Sequence, residues 1–346
     1  MTAPSLPPRP SQRGIVRHWL RHPGDAHELT VLRVTTTAGL TIDVLPDRCL
    51  DLGAATYRGI PLAWTSGAPM RHPADLPRNE WQARFVGGLL ATCGLDNVGP
   101  ACTDAGQSFP QHGRIGGEPA RDIRWGTRRV AGSDYFWITG DVAQPGTELR
   151  IRRRIMIPND VPTLRLSDTV VNDGTEPEPV MLQYHCNFGQ PFVAPGGKIM
   201  VPGTTILPRD DAAAAALERW HLIEPARAGE EERVFRHEQP QQWWACSYLL
   251  PPAEGPVAPY SVRLRYTRRT LPWLWQWRLL STSAYVIGLE PANCMVKPRD
   301  EARRRNALPT LGPGDHVTFS VEIGIHQRPT AVDPVPQLDS WPSMTR

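Results

Sequence analysis

Three side chains in this sequence have the types and settings for acid–base chemistry. His185 sits in Met-Leu-Gln-Tyr-His-Cys-Asn-Phe-Gly-Gln-Pro, from Met181 to Pro191, an apolar run closed by Gly189 and Pro191. His112 sits in Gln-His-Gly-Arg-Ile-Gly-Gly within Phe109 to Ala120, and Glu290 in Gly-Leu-Glu-Pro-Ala-Asn within Tyr285 to Lys297. Two imidazoles and a carboxyl form a general acid–base set when they converge, because imidazole titrates near neutrality and a partly buried carboxyl is raised towards that range. Glu290 carries most weight: it follows Tyr-Val-Ile-Gly-Leu, where a carboxylate is costly to bury without a partner or a function. The plainer readings are a histidine hydrogen-bonded within a strand and a glutamate paired with one of the many arginines. Metal ligation is a third chemistry open to the set, on which separations of this length are uninformative in a β fold.

Bringing such distant segments together needs a fold built from many long-range pairings. From Glu28 to Val44 the chain alternates and is rich in β-branched residues, with Ala38-Gly39 as the turn of a hairpin. A second strand pair turns at Arg58-Gly59, and Ser66 to Asn79, studded with prolines, reads as a surface loop near the site. Trp81 to Gly99 mixes bulky residues with glycines and reads as a strand approached closely by another backbone or a ligand; the motif partners of a phosphate loop are missing. Ile123 to Val171 reads as an antiparallel meander in which Arg150, Arg152 and Arg154 form a solvated face. Arg153 conflicts with Ile151 and Ile155, which a bulge or an edge strand would reconcile. Asp210 to Trp220, with five alanines and a capping aspartate, is the one confident helix. Strands return at Trp243 to Leu250, Tyr260 to Thr267, Ala284 to Leu289 and Val317 to Ile325, so the expected fold is all-β, a large antiparallel β-sandwich with one short helix.

Composition narrows the partners. Lys+Arg 38 against Asp+Glu 35, with the arginines spread along all 346 residues, gives no basic patch for nucleic acid. No apolar run approaches the ~20 residues of a membrane span and the start has no signal-peptide core, so the expectation is a cytoplasmic protein with no membrane partner, monomer or homodimer. Residues 1–12 read as a flexible Pro-rich leader, 13–330 as one domain, and 331–346 as a Pro-rich tail. The six cysteines, Cys49, Cys93, Cys102, Cys186, Cys246 and Cys294, form no CxxC pair and are expected to be free, buried thiols.

Several long motifs resemble the aldose 1-epimerase (galactose mutarotase) superfamily, in a poorly characterised bacterial branch. They are Leu-Pro-Asp-Arg-Cys-Leu-Asp-Leu-Gly, Arg-Phe-Val-Gly-Gly-Leu-Leu-Ala-Thr-Cys-Gly-Leu-Asp-Asn-Val-Gly, His-Gly-Arg-Ile, Tyr-His-Cys-Asn-Phe-Gly-Gln-Pro and Gly-Leu-Glu-Pro-Ala-Asn, spread from Gly39 to Ile325. The resemblance implies a large antiparallel sandwich, puts the family's two histidines on His112 and His185, its glutamate base on Glu290, and a sugar-binding arginine on Arg84. The family's sugar-holding aspartate has no counterpart in the motifs, although acidic residues lie between Asp210 and Glu238. The implied activity is anomer interconversion: Glu290 takes the anomeric proton, protonated His185 donates to the ring oxygen, and His112 holds a hydroxyl or the ring oxygen. That activity needs no metal and no cofactor.

Leu-Pro-Trp-Leu-Trp-Gln-Trp-Arg-Leu-Leu places Trp273, Trp275 and Trp277 on one face of a strand, a surface on which a sugar ring can rest or a core can pack. Arg278, Arg48 and Arg84 supply donors for hydroxyls or for an anionic group, so an acidic sugar is among the expected small-molecule partners. Epimerisation at a sugar carbon through an enediolate, a metal-dependent sugar lyase or isomerase, and a non-catalytic carbohydrate-binding protein are the competing functions.

Overall fold

A computed structural model describes residues 13–240 and 243–328; the leader 1–12 and the tail 331–346 lie outside the described residues. Three sheets make the body. The first is a five-stranded meander in chain order: Gly14–Leu20, Leu29–Thr35, Leu40–Leu45, Asp51–Tyr57 and Ile60–Pro61. An eight-stranded sheet runs Lys198–Met200, Trp244–Leu250, Tyr260–Thr267, His316–Gln327, Thr163–Asn172, Leu149–Pro158, Ser133–Ala143, Arg121–Val130. A six-stranded sheet runs Thr205–Pro208, Arg233–Glu238, Trp273–Leu280, Tyr285–Ala292, Met181–Phe188, Ala91–Leu95. All their strand pairs are antiparallel, which gives the large antiparallel sandwich that the alternation implies. Leu32 and Val34, Ile155 and Leu166, and Leu182 and Ile287 bring all three sheets into one core. Each such side chain contributes about 1.5–3 kcal/mol on burial.

Three expectations are corrected. Trp81 to Gly99 is not one strand: Trp81–Arg84 is a helical turn, Gly87 (φ +82°) and Gly88 (φ +98°) have positive φ, and only Ala91–Leu95 is a strand. The helix expected over Asp210 to Trp220 is a single turn, Asp211–Ala214, followed by a 3-10 turn, Leu217–Arg219, although Asp210 does cap it by accepting from the Ala213 N–H at 3.0 Å. A third short helix is Arg299–Arg304. The six cysteines are free; five are buried and Cys102 is partly exposed.

Arg153 is the third correction. Its strand carries no bulge and lies inside the sheet, with unbroken register to both neighbours. The guanidinium points into the core because partners wait for it there. It pairs with Asp168 at 2.7 Å and Asp51 at 2.9 Å, and donates to the Cys49 carbonyl at 2.7 Å and the Thr92 hydroxyl at 2.8 Å. Asp168 also accepts from the Tyr184 hydroxyl at 2.7 Å. This satisfied polar node joins all three sheets beneath the strand that carries His185.

Candidate active site

Strand Met181–Phe188 is buried on both faces, and period two divides its side chains: Leu182, Tyr184, Cys186 and Phe188 enter the main core, while Gln183, His185 and Asn187 take the other side. Across the strand boundary Gln183 faces Ala292 and Cys186 faces Leu289, a register that sets His185 beside Glu290. The result is direct contact, His185 Nε2 to Glu290 Oε1 at 3.1 Å. Asn187 Oδ1 lies 2.6 Å from His185 Nδ1, and Gln183 Nε2 donates to Glu290 Oε2 at 2.5 Å. Between these groups lies Gly288, where a Cβ would sit 2.5 Å from Glu290 Oε1, 3.2 Å from Trp277 and 3.3 Å from His185. Only glycine leaves the pair room.

Burial governs the electrostatics. The Glu290 carboxyl is held well above its usual range by burial, with Glu232 adding to the effect and Arg209 opposing it. His185 is pushed down to about 3 by burial and by neighbouring His112. His112 is lowered to about 4 by burial and then by the Arg209 charge.

The pair opens into a cleft of about 780 Å³, large enough for a small-molecule ligand. Its walls are aromatic: Trp81 stacks on Phe85 at 4.7 Å, Phe85 meets the His185 ring at 4.9 Å, Trp277 meets it at 5.3 Å, and Trp64 packs edge-on to Trp277. His112 lies against Trp81 at 4.6 Å and 6.3 Å from His185, partly exposed to the same space. Charged groups mark the cleft wall. Glu232 accepts from the Trp277 indole N–H at 2.9 Å and from Arg209 at 2.9 Å, and Arg209 also binds Asp210 at 2.7 Å.

His112, His185, Glu290 and Trp277 are thus gathered around one space, while the three expected arginines are not. Arg278 lies on the opposite face of its strand from Trp277, buried, donating to the Arg219 and Leu222 carbonyls at 3.1 Å and to Glu224 at 3.1 Å. Arg48 is spent on the carbonyls of Arg71 and Arg84. Arg84 donates to the Arg78 carbonyl at 2.7 Å and packs on Gly117, where a Cβ would collide with its guanidinium. Both arginines line a void of about 30 Å³ behind Trp81 and Phe85, too small for a sugar. Sequence reasoning missed Trp64, Trp81, Phe85, Arg209 and Glu232. The tryptophans and Phe85 carried an aromatic signal, and Glu232 lies in the acidic stretch between Asp210 and Glu238; Arg209, next to a strand end, carried none. Among the described residues no group of three His, Cys, Asp or Glu side chains is placed to hold a metal ion, and no helix is long and apolar enough to cross a membrane.

Comparison with known proteins agrees with this architecture. A candidate aldose 1-epimerase from Klebsiella pneumoniae subsp. pneumoniae MGH 78578 superposes with a TM-score of 0.82 at 21% identity, over 91% of this chain and 88% of that one. A galactose mutarotase-like protein from Clostridium acetobutylicum gives 0.62 at 11% identity, over 91% and 99%. A galactose 1-epimerase from Lactobacillus acidophilus NCFM gives 0.59 at 13% identity, over 91% and 99%. These likenesses establish the galactose mutarotase-like fold. No curated protein matches the sequence. A family model does match it over residues 26–325, and the chain belongs to that family, described as Domain of unknown function (DUF4432).

Proposed function

We propose that this protein is a carbohydrate isomerase, an aldose 1-epimerase that interconverts sugar anomers by acid–base catalysis. The observation that carries the reading is the contact of His185 with Glu290, at 3.1 Å on the floor of an aromatic cleft. Anomerisation needs a proton removed from the anomeric hydroxyl while another is delivered to the ring oxygen. Both oxygens are bonded to one carbon, so the groups that serve them must themselves be neighbours. Ring opening yields the free aldehyde, rotation turns it, and reclosure with the reverse proton transfers gives the other anomer. Trp64, Trp81, Phe85 and Trp277 supply flat surfaces for the C–H faces of a sugar, and His112 and the Glu232 carboxylate are placed for its hydroxyls.

With Arg48, Arg84 and Arg278 turned elsewhere, the cleft favours a neutral sugar over an acidic one. Its cations are Arg209 and Lys297, and Arg209 is already engaged by Asp210 and Glu232. The test is anomer exchange followed by NMR across neutral and acidic aldoses in D2O. Exchange without deuterium entering any C–H bond supports the reading; deuterium incorporation would replace it with epimerisation at carbon through an enediolate.

A further inference from the structure

We infer that Asn187 locks His185 as its Nδ1–H tautomer, so that the proton shared by the pair rests on Glu290 Oε1 and Glu290 serves as the acid and His185 Nε2 as the base. This rests on the acid–base reading above and reverses the roles implied by the family resemblance.

The lock follows from the partners of one amide. Asn187 is buried, and its amide nitrogen donates to two carbonyl oxygens, that of Gly88 at 3.0 Å and that of His185 at 2.9 Å. Carbonyls only accept, so turning the amide over would set three oxygens against one another. The orientation is therefore fixed, Oδ1 faces His185 Nδ1 at 2.6 Å, and Nδ1 must carry the hydrogen. Neutral His185 then has an unprotonated Nε2.

The second half concerns the carboxyl. Gln183, also buried, donates to Glu290 Oε2, which leaves Oε1 as the oxygen facing Nε2. Oε1 is buried and accepts no hydrogen bond from any other group, so nothing further stabilises a negative charge on it. Two bare acceptors at this distance out of water would repel. A proton on Oε1 removes the conflict and leaves both groups neutral, as burial favours.

The surroundings do not overturn that balance. His112 and Trp277 face His185 from neighbouring elements, and Phe85 covers its ring. Glu232 and Arg209 bear on Glu290 with opposite sign, and the Cys93 and Cys186 thiols near it keep their protons because burial raises them.

Atoms balance through the step. Glu290 gives its Oε1 proton to the ring oxygen, His185 Nε2 takes the anomeric hydroxyl proton, the bond from C1 to the ring oxygen breaks, and a carbonyl forms at C1. The open aldehyde then faces a carboxylate and an imidazolium, and reclosure on the other face returns both protons. Asn187 is the positioning residue, acting through His185.

The experiment is spectroscopic and needs no substrate. Long-range 1H–15N NMR of His185 near neutral pH should show a neutral ring protonated at Nδ1, and infrared difference spectra of wild type against Glu290→Gln should show a protonated carboxyl. An imidazolium, an Nε2–H tautomer or an ionised Glu290 would overturn the inference. Asn187→Asp, whose carboxylate stabilises imidazolium, should draw the proton to His185, abolish the carboxyl band and lower kcat by about 10²-fold or more; a neutral His185 in that variant would remove Asn187 from the role. The wild-type spectra decide the proton's place even where the variant does not fold. If they agree with the inference while no sugar is turned over, the proposed activity fails and the proton assignment stands.

Discussion

Arg153 and Asp168 stand opposite one another on adjacent strands and meet at 2.7 Å with both side chains fully buried. Because Asp51 shares the same guanidinium, Arg153→Met would strand two carboxylates in the core. Removing one partner of a buried ion pair costs about 3–5 kcal/mol. Urea unfolding should show a loss of that size; a loss below about 1 kcal/mol would mean that the node is not a keystone of the three sheets.

Gly288→Ala would push a methyl group against Glu290 Oε1, Trp277 and the His185 ring. The strand around it is well packed, so the fold should survive at a cost of about 1–3 kcal/mol. Displacing the pair should cost far more in rate, about 10²-fold in kcat. Circular dichroism and turnover measured together separate the two effects, and unchanged turnover would place the chemistry elsewhere.

Strand parity explains both what the sequence disclosed and what it hid. Leu182, Tyr184 and Cys186 against Gln183, His185 and Asn187 follow period two, and the same rule separates Trp277 from Arg278, so grouping those last two in one site ignored information that was legible. The meeting of His112, His185 and Glu290 was signalled by their residue types and settings and by motif resemblance, since no spacing fixes which strands become neighbours across a sheet. Arg153 looked misplaced because its partners, Asp51 and Asp168, come from other strands. The Trp81–Arg84 turn was hidden by Trp81 and the adjoining Phe85, which have strand propensity, and by the glycines that follow.

Arg278 and Trp277 should therefore respond differently to substitution. Arg278→Met breaks hydrogen bonds to Arg219, Leu222 and Glu224, and should cost about 1.5–3 kcal/mol of stability with kcat/KM little changed. Trp277→Leu removes an aromatic wall and the anchor of Glu232, and should lower kcat/KM by about 10-fold or more. A binding defect confined to Arg278→Met would restore the acidic-sugar reading.

Acid should destabilise the protein through its buried histidines. His185 lies at about 3 and His112 and His237 at about 4, each lowered first by burial. Between those values and the ordinary 6.5 the unfolded chain binds protons that the native state refuses, so stability rises with pH across that window. Glu290 has the opposite sign: its native carboxyl keeps a proton that the unfolded chain releases above about 4.5, which lowers stability as pH rises. Melting temperature should climb from about pH 4 to 6.5, and climb more steeply in Glu290→Gln. A shallower slope in the variant would contradict a raised Glu290.

The most direct test of the central claim is NMR saturation transfer between the two anomers of each aldose in a panel, with wild-type protein and with Glu290→Gln at equal concentration. The account predicts enzyme-dependent exchange on at least one neutral sugar that falls by about 10²–10⁴-fold in the variant, the share expected of one general acid–base group. Exchange that survives Glu290→Gln undiminished, or its absence on every sugar tried, would contradict it.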